Sequence, residues 1–472
     1  MIVRKPSDED ITDWTYEAAI DHLYRIARRG SALGLERIAL LLDQAGNPHH
    51  FFKCIHVAGT NGKGSTTAFI ASILESAGFK TGRYTSPHLE VFEERISING
   101  EPMSRDELVA QVSRLSRLTG DSAAEDQQAT FFEFVTALAF EHFRSRGVDM
   151  AVLEVGLGGR LDATNVIEPP LVAVITSIGL DHMEYLGDTL PAIAAEKAGI
   201  LKTGSVAVTA TRDPAALEVI RRTAAERRVD LWTVASAGTR GAADVCWRKR
   251  ASSLEVQTFD LSLPDGEYAD LEIALAGDHQ LDNAACAVAA IHRLRTTGRP
   301  VPESAIRGGL AQARWPGRFE VLRRRPWVIL DGAHNPQGAA VLCRTLETAL
   351  PGARPVMVLG AMGDKDLDGL VEPLAAMARM VVATRPSYPG RAADPAAIAA
   401  AARRAGGEVQ VVEPAEAALR RGLDLLAGED DVLVVAGSLY LVGEARFRLR
   451  AWMTGDAGSW REPPAEYGGR RA

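Results

Sequence analysis

Along the chain, short runs of β-branched and other apolar residues alternate with longer stretches whose apolar positions recur every three or four residues. Phe52 to Val57 reads as a strand. Ser65 to Ala77 reads as a helix with Phe69, Ile70, Ile73, Leu74 and Ala77 on one face. Tyr84 closes a short second strand, and Met150–Val155, Val172–Thr176 and Val206–Thr209 are nearly unbroken apolar runs, the pattern of strands covered on both faces. The alternation restarts near residue 327, with strands expected at Trp327–Leu330, Pro355–Leu359, Met380–Ala383 and Val432–Val435. This order predicts two α/β units, each around a mostly parallel sheet. Turn residues crowd Thr297–Pro302 and Trp315–Arg318, which puts the boundary close to Arg314 and divides the chain into 1–313 and 314–472. Trp247 to Leu275 alternates weakly and is expected to extend the first sheet with antiparallel strands. The Gly/Pro-rich tail after Gly455 is expected to fray.

Composition narrows the function. The chain has 472 residues, with 53 Lys+Arg against 61 Asp+Glu, a net charge of −8. That balance argues against a general nucleic-acid binder, which needs a basic surface, but not against a local basic pocket. No apolar run approaches the ~20 residues of a membrane span, and Met1 to Asp10 lacks the apolar core of a secretory signal, so the expected location is the cytoplasm. Cys54, Cys246, Cys286 and Cys343 lie far apart with no C-x-x-C spacing, which predicts neither a disulfide framework nor a zinc site.

The sharpest local signal is Val57-Ala-Gly59-Thr-Asn-Gly62-Lys63-Gly64-Ser65-Thr66, between a strand and a helix. Its glycines let backbone N–H groups turn toward an anion, the helix start adds its dipole, and Lys63 supplies a point charge for the outer phosphates. The spacing departs from the common G-x-x-x-x-G-K-[ST] loop: Val57 stands at the first glycine position, and Gly64 separates Lys63 from Ser65. Ligands of parallel sheets sit beyond the carboxyl ends of the strands. Three further segments fall there: Thr85-Ser86-Pro87-His88, Glu154 with Gly156–Asn165, and Asp181-His182. A carboxylate, a hydroxyl and an imidazole beside a triphosphate form a reasonable Mg²⁺ environment. Taken singly, each is more often a solvated or core group; their shared sheet edge is what makes them candidates.

Together the motifs closely resemble the folylpolyglutamate synthase/dihydrofolate synthase branch of the Mur ligase superfamily. The segments that carry the resemblance, in order, are Gly59–Ser65, Thr85–Leu89 with Glu94–Ile96, Phe131–Glu133, Glu154–Asn165, Leu180–His182, Glu196–Ile200, Gly277–Asn283, Trp315–Arg318, Asp331–Asn335 and Ala436–Tyr440. The resemblance implies an N-terminal P-loop ATPase domain of Mur ligase type with a parallel sheet, and a smaller C-terminal Rossmann-like α/β domain. It also implies an ATP-dependent amide ligase. A pteroate or folate carboxylate is phosphorylated to an acyl phosphate, and the amine of L-glutamate displaces phosphate.

Carried over by motif position, Thr60, Asn61, Gly62, Lys63, Gly64, Ser65, Asn283, Arg318 and Asp331 contact ATP. Ser86 and Glu154 hold a first Mg²⁺ and His182 a second. Lys197 becomes a metal ligand after carbamylation by CO₂, although a lysine in Ala194-Ala-Glu-Lys-Ala198 is on residue type alone an exposed helix residue. His334 and Ser438 face the incoming glutamate, and Lys63, Lys197 and His334 form the catalytic set. Thr130, Phe131, Phe132, Glu133, Leu161, Asp162 and Ala163 resemble the segments that bind dihydropteroate in bifunctional members, with Phe132 suited to stack on a pterin. For Phe131, Phe132 and Phe134 core packing is the plain alternative. The Ser-Pro-His88 loop and these segments favour both activities over folylpolyglutamate synthesis alone. Relatives imply a monomer that handles small molecules, without a nucleic-acid or membrane partner.

Two rivals remain at this point. A cell-wall Mur ligase shares the phosphate loop but places a UDP-sugar domain before it, and only 58 residues precede Gly59 here. A nucleotide-binding switch has no use for His182, Lys197 and a second-domain Asp-Gly-Ala-His.

Overall fold

The apolar runs become the centre of an eleven-stranded sheet. The protein was analysed as a computed structural model that describes residues 14–27, 34–119, 128–239, 243–387 and 391–454; the tail after Gly455 lies outside the described residues. From one edge the strand order is Gly266–Ile273, Gln257–Leu263, Val245–Ser252, Asp230–Ser236, Val206–Thr209, Val172–Ile175, Lys53–Ala58, Met150–Glu154, Thr81–Tyr84, Ile96–Ile98 and Glu101–Pro102. Pairing is parallel from Val245–Ser252 through Thr81–Tyr84 and antiparallel at both margins. Thus Trp247 to Leu275 does supply the antiparallel extension.

Alternation explains the unbroken apolar runs. Ile55, Val57, Met150, Val152, Val172 and Val174 pack with the helices Lys63–Ser76 and Asp278–Arg293 on one face. Their neighbours Cys54, Ala151 and Leu153 pack with helices Tyr16–Ala27, Glu36–Gln44, Arg105–Thr119 and Phe131–Ser145 on the other. Further along that second face, Ala173, Ile175 and Ala207 meet the helices Leu190–Ala198 and Pro214–Glu226. Each strand is therefore apolar on both sides, as parallel strands must be when helices cover both faces.

The second sheet has six strands in the order Glu320–Arg324, Trp327–Leu330, Val432–Ala436, Val356–Leu359, Met380–Ala383 and Val409–Val411, parallel except for the first pair. It too carries helices on both faces. In each sheet, sequence neighbours diverge at an inner strand. Lys53–Ala58 lies between Met150–Glu154 and Val172–Ile175, and this crossover point opens the crevice in which the phosphate loop sits. Among the described residues no helix is long and apolar enough to cross a membrane. The four cysteines are free, Cys54 and Cys286 buried, the other two half-buried.

One contact fixes the height of the phosphate-loop helix. A Cβ on Gly309 would lie 2.4 Å from the Cα of Ile73 and 2.6 Å from its nitrogen, so helix Glu303–Gln312 meets Lys63–Ser76 backbone to backbone. Since neither neighbour is a flexible side-chain end, Gly309→Ala should destabilise the protein by about 1–3 kcal/mol, seen as a lower urea midpoint.

Candidate active site

The loop after Lys53–Ala58 turns through two left-handed glycines, Gly59 at φ +147° and Gly62 at φ +90°, before helix Lys63–Ser76 begins. Neither has room for a side chain: a Cβ on Gly59 would meet Thr176 Oγ1 at 1.8 Å, and one on Gly62 would meet Asn283 Oδ1 at 2.3 Å. The loop is clasped from the next strand end. The Thr60 amide donates to the Ser177 carbonyl at 2.8 Å, and the Thr176 hydroxyl donates to the Asn61 carbonyl at 2.8 Å. Lys63 folds its ammonium back onto the carbonyls of Gly59 (3.2 Å) and Thr60 (3.1 Å). Burial lowers the Lys63 pKa, opposed by Glu154 and Asp181.

Glu154 ends its strand in register with Val57 and is 5% exposed. Burial pushes its pKa up to about 7 against the pull of Lys63. The Ser86 backbone amide donates to Glu154 Oε2 at 3.3 Å, so these two sequence candidates are neighbours in the structure. Lys197 is not the exposed helix residue its sequence neighbourhood describes. It is 5% exposed, and its Nζ donates to the Gly59 carbonyl at 2.8 Å. Two lysine ammoniums thus converge on one carbonyl oxygen. Burial and the Lys63 charge bring the Lys197 pKa down to about 7. His182 adopts a left-handed backbone at φ +50°, and burial and Lys365 lower its pKa to about 4. Among the described residues no group of three or more His, Cys, Asp or Glu is arranged as a ready metal cage. The oxygen donors of Ser86 and Glu154 beside a phosphate loop nonetheless fit Mg²⁺, which takes one or two protein oxygens and completes its shell with water and phosphate.

The second unit closes the other wall. Arg318 Nη1 donates to the Gly332 carbonyl at 3.3 Å, and His334 Nδ1 lies 2.8 Å from the same oxygen. Asp331 spends its carboxylate locally, accepting from the Phe319 and Ala333 amides at 2.8 Å each, and burial raises its pKa despite Arg318. Ser438 is 1% exposed at the end of Val432–Ala436, where its hydroxyl accepts from the Tyr440 amide.

Sequence reasoning overlooked Lys365 and Gln337, two of the groups that join the two walls. Lys365 Nζ lies 2.6 Å from Asp181 Oδ1, Asn335 Nδ2 donates to Asp181 Oδ2 at 3.0 Å, and Asn61 Nδ2 donates to Gln337 Oε1 at 2.8 Å. Burial alone would raise the Asp181 pKa, but His334, His182 and Lys365 hold it well below the usual carboxylate range. The available signal was position: Lys365 lies in Met362-Gly-Asp-Lys-Asp366, just past the carboxyl end of Val356–Leu359.

Thr60 to Ser65, Ser86, Glu154, His182, Lys197, Asn283, Arg318, Asp331, His334 and Ser438 all line one cleft of about 2280 Å³. The set from Thr130 to Ala163 does not line it. Thr130 and Glu133 form a capping box at the start of helix Phe131–Ser145, and Glu133 also pairs with Arg37 at 2.9 Å. Phe131 and Phe134 are buried in the core, and Asp162 caps the turn Ala163–Val166 through the Thr164 amide while Leu161 is half-buried beside it. Phe132 lies directly behind the cleft wall, where a Cβ on Gly156 would reach its Cζ at 2.4 Å.

A phosphate loop whose cations and carboxylates face a second α/β unit across a shared cleft defines a two-domain nucleotide-dependent enzyme. Residues 57–291 match the Mur ligase middle domain, and residues 317–439 the Mur ligase glutamate ligase domain. The chain is 36% identical over 441 residues to the dihydrofolate synthase/folylpolyglutamate synthase of Bacillus subtilis, covering 92% of this chain and 99% of the relative. Among solved structures, Mycobacterium tuberculosis folylpolyglutamate synthase complexed with ADP matches with a TM-score of 0.84 at 33% identity, covering 92% of this chain and 99% of that one. Escherichia coli FolC in complex with DHPP and ADP matches with a TM-score of 0.81 at 30% identity, covering 93% and 99%. The chain belongs to the dihydrofolate synthase/folylpolyglutamate synthase branch of the Mur ligase family, whose members are ATP-dependent ligases. ATP is its co-substrate.

Gly62→Ala tests the phosphate loop directly. The left-handed φ and the approach of Asn283 both forbid a Cβ. Affinity for ADP measured by calorimetry should fall by about tenfold or more, a loss equivalent to a single good loop–phosphate contact.

Proposed function

We propose that this enzyme is bifunctional, joining L-glutamate both to dihydropteroate and to tetrahydrofolyl glutamates through an acyl phosphate. The observation that carries the reading is the convergence of Lys63, Glu154 and Lys197 from one unit with Arg318 and His334 from the other on a single cleft. Relatives from Bacillus subtilis, Mycobacterium tuberculosis and Escherichia coli that bear both activities in their names support the double function.

In this reading, residues 1–313 bind ATP and the pterin, and 314–472 present the glutamate. Thr60 to Ser65 cradle the phosphates with their backbone amides, and Lys63 balances charge gathering on the transferred phosphoryl group. Asn283, Arg318 and Asp331 secure the nucleotide, with Asp331 acting through the backbone turn it holds. The substrate carboxylate attacks the γ-phosphorus and ADP leaves. The glutamate amine then attacks the acyl carbon, the carbon–oxygen bond to phosphate breaks, and the amine gives up its proton. His334 and Ser438 orient that glutamate. Ser86 and Glu154 would hold one Mg²⁺, and His182 with a carbamylated Lys197 a second; bound there, the ions supply positive charge to oxygens that would otherwise repel. Contact between the two units keeps water from the acyl phosphate. Thr130, Phe131, Phe132, Glu133, Leu161, Asp162 and Ala163 shape the pterin side, through the Gly156 wall.

Carbamylation of Lys197 is supported by its surroundings. CO₂ reacts with a neutral amine, and a lysine held at about 7 beside a second ammonium offers one. The neutral fraction grows as pH rises through the pKa, so a carbamate signal from carbon-13-labelled CO₂ should strengthen as pH passes about 7. Lys197→Ala should lack that signal and lose about 100-fold or more in kcat, the scale of a lost charge-stabilising group.

The reading as a whole is checked with purified protein, ATP, Mg²⁺ and glutamate. Phosphate release should require both glutamate and a pterin acceptor, and both dihydropteroate and tetrahydrofolate should serve. Turnover of tetrahydrofolate alone would reduce the function to folylpolyglutamate synthesis.

A further inference from the structure

The phosphate loop departs from the common spacing at Gly64, which stands between Lys63 and Ser65 within the first turn of helix Lys63–Ser76. The structure supplies a reason. A Cβ on Gly64 would lie 2.9 Å from Cζ2 and Nε1 of Trp315 and 3.0 Å from its Cε2. These atoms belong to a rigid fused ring, not to the end of a flexible chain. Position 64 is bare because an indole occupies the space a side chain would take.

Trp315 is itself held. The Arg83 guanidinium lies over its ring, with Cζ 5.2 Å from the centroid, a favourable approach of a cation to an aromatic face. The ring also packs on the core cluster that contains Phe69 and Ile70 of helix Lys63–Ser76. Gly64 and Arg318 line the cleft, whereas Trp315 is not among the lining residues. It therefore reaches the phosphate loop from behind, without facing the nucleotide.

Trp315 opens the segment Trp315-Pro316-Gly317-Arg318 that joins the two units. Past Pro316 the segment is fastened to the second unit. The Gly317 amide donates to Glu320 Oε2 at 2.8 Å, the Phe319 amide to Asp331 Oδ2 at 2.8 Å, and Arg318 Nη1 to the Gly332 carbonyl at 3.3 Å. Those bonds place Arg318 relative to the second unit but not relative to the phosphate loop. The seat of Trp315 on Gly64 supplies the missing reference, and Pro316 limits the backbone freedom between indole and guanidinium. Arg318 is close enough to the loop for its charge to be felt there: burial lowers the Lys63 pKa, and Arg318 lowers it further.

We propose that Trp315 is a positioning residue for Arg318: seated on Gly64, it sets how far the linker arginine stands from the phosphate loop, so that a nucleotide meets both in place. The inference rests on the reading above in which Arg318 secures the nucleotide, and adds the residue that fixes its reach. It also accounts for the unusual loop spacing, since Gly64 and Trp315 form one packing unit.

The experiment is a double-mutant cycle. ADP affinity by calorimetry, and kcat and KM for ATP and glutamate with tetrahydrofolate as acceptor, are measured in wild type, Trp315→Leu, Arg318→Ala and the double variant, with Trp315→Phe as the conservative change. Trp315→Leu should weaken ADP about tenfold and raise KM for ATP by a similar factor, with KM for glutamate within about twofold of wild type. Trp315→Phe keeps a flat ring on Gly64 and should stay within about threefold of wild type. Because Trp315 acts through Arg318, the double variant should bind ADP at most about twofold more weakly than Arg318→Ala alone. Losses that multiply in the double variant, or unchanged ADP affinity in Trp315→Leu, overturn the positioning role while leaving Arg318 as a nucleotide contact. Wild-type ADP affinity in Arg318→Ala overturns that contact and its positioning together. Should Trp315→Leu fail to fold, hydrogen exchange in Arg318→Ala decides. With the guanidinium gone, saturating ADP should still slow amide exchange across residues 313–317 by holding Gly64 against the indole. Equal exchange with and without ADP overturns the proposal.

Discussion

The Asp181 carboxylate is the point on which the arrangement of the cleft turns. It belongs to the first unit yet takes its partners from the second: Lys365 at 2.6 Å and the Asn335 amide at 3.0 Å, with His334 Nε2 at 3.7 Å. A carboxylate with a side chain 9% exposed is costly to leave unpaired, so it favours arrangements that bring these donors to it. Asn335 also caps helix Pro336–Ala349 through the Gly338 amide and reaches Asn61 in the phosphate loop. One residue therefore ties the start of a second-unit helix to the nucleotide site and to the Asp181 hub. The position of His334 relative to Lys63 follows from those bonds rather than from any direct contact between the two.

How much of this was legible follows from the range of the forces involved. Strands such as Val172–Ile175 and Met150–Glu154 were readable because burial on two faces leaves an unbroken apolar run. The edge strand Val409–Val411 was not, since Val411 is exposed and the run is three residues long. The phosphate loop was readable because backbone geometry demands glycine at particular positions. Lys365 was missed because its partner is 184 residues away in sequence, and its place past the end of Val356–Leu359 is a weak local mark. Glu133 shows the reverse case. A motif position attributed to substrate is occupied in the structure by two structural duties, the cap of its own helix and the pair with Arg37. Residue type and spacing cannot separate such uses, because a capping glutamate and a binding glutamate look alike until their partners are known.

Net charge illustrates the same separation of scales. A chain at −8 is expected to repel ATP, glutamate and folate, all anions. Yet Lys63, Lys197, Arg318 and Lys365 are gathered in or beside one cleft, while many of the remaining charges are paired across the surface. Charges farther apart than about 10 Å are screened at ordinary ionic strength, so an approaching anion responds to the cleft and not to the sum.

The same crowding bears on the proposal that a lysine, rather than a carboxylate, serves the metal. Lys63 and Lys197 both donate to the Gly59 carbonyl, at 3.2 and 2.8 Å. A single oxygen can accept both bonds, but the two charges repel in a setting that water screens poorly. Removing the proton from Lys197 relieves that strain, and burial already favours the neutral form. A permanent aspartate at the same place would instead pair with Lys63 and draw it away from the phosphates. Under the proposed carbamylation, a lysine that becomes anionic only after taking up CO₂ would leave the loop free to form with its own lysine in place, and would contribute negative charge once a cation is there to receive it. Were Lys197 carbamylated as proposed, the loop would form first, the carbamate second and the metal site last.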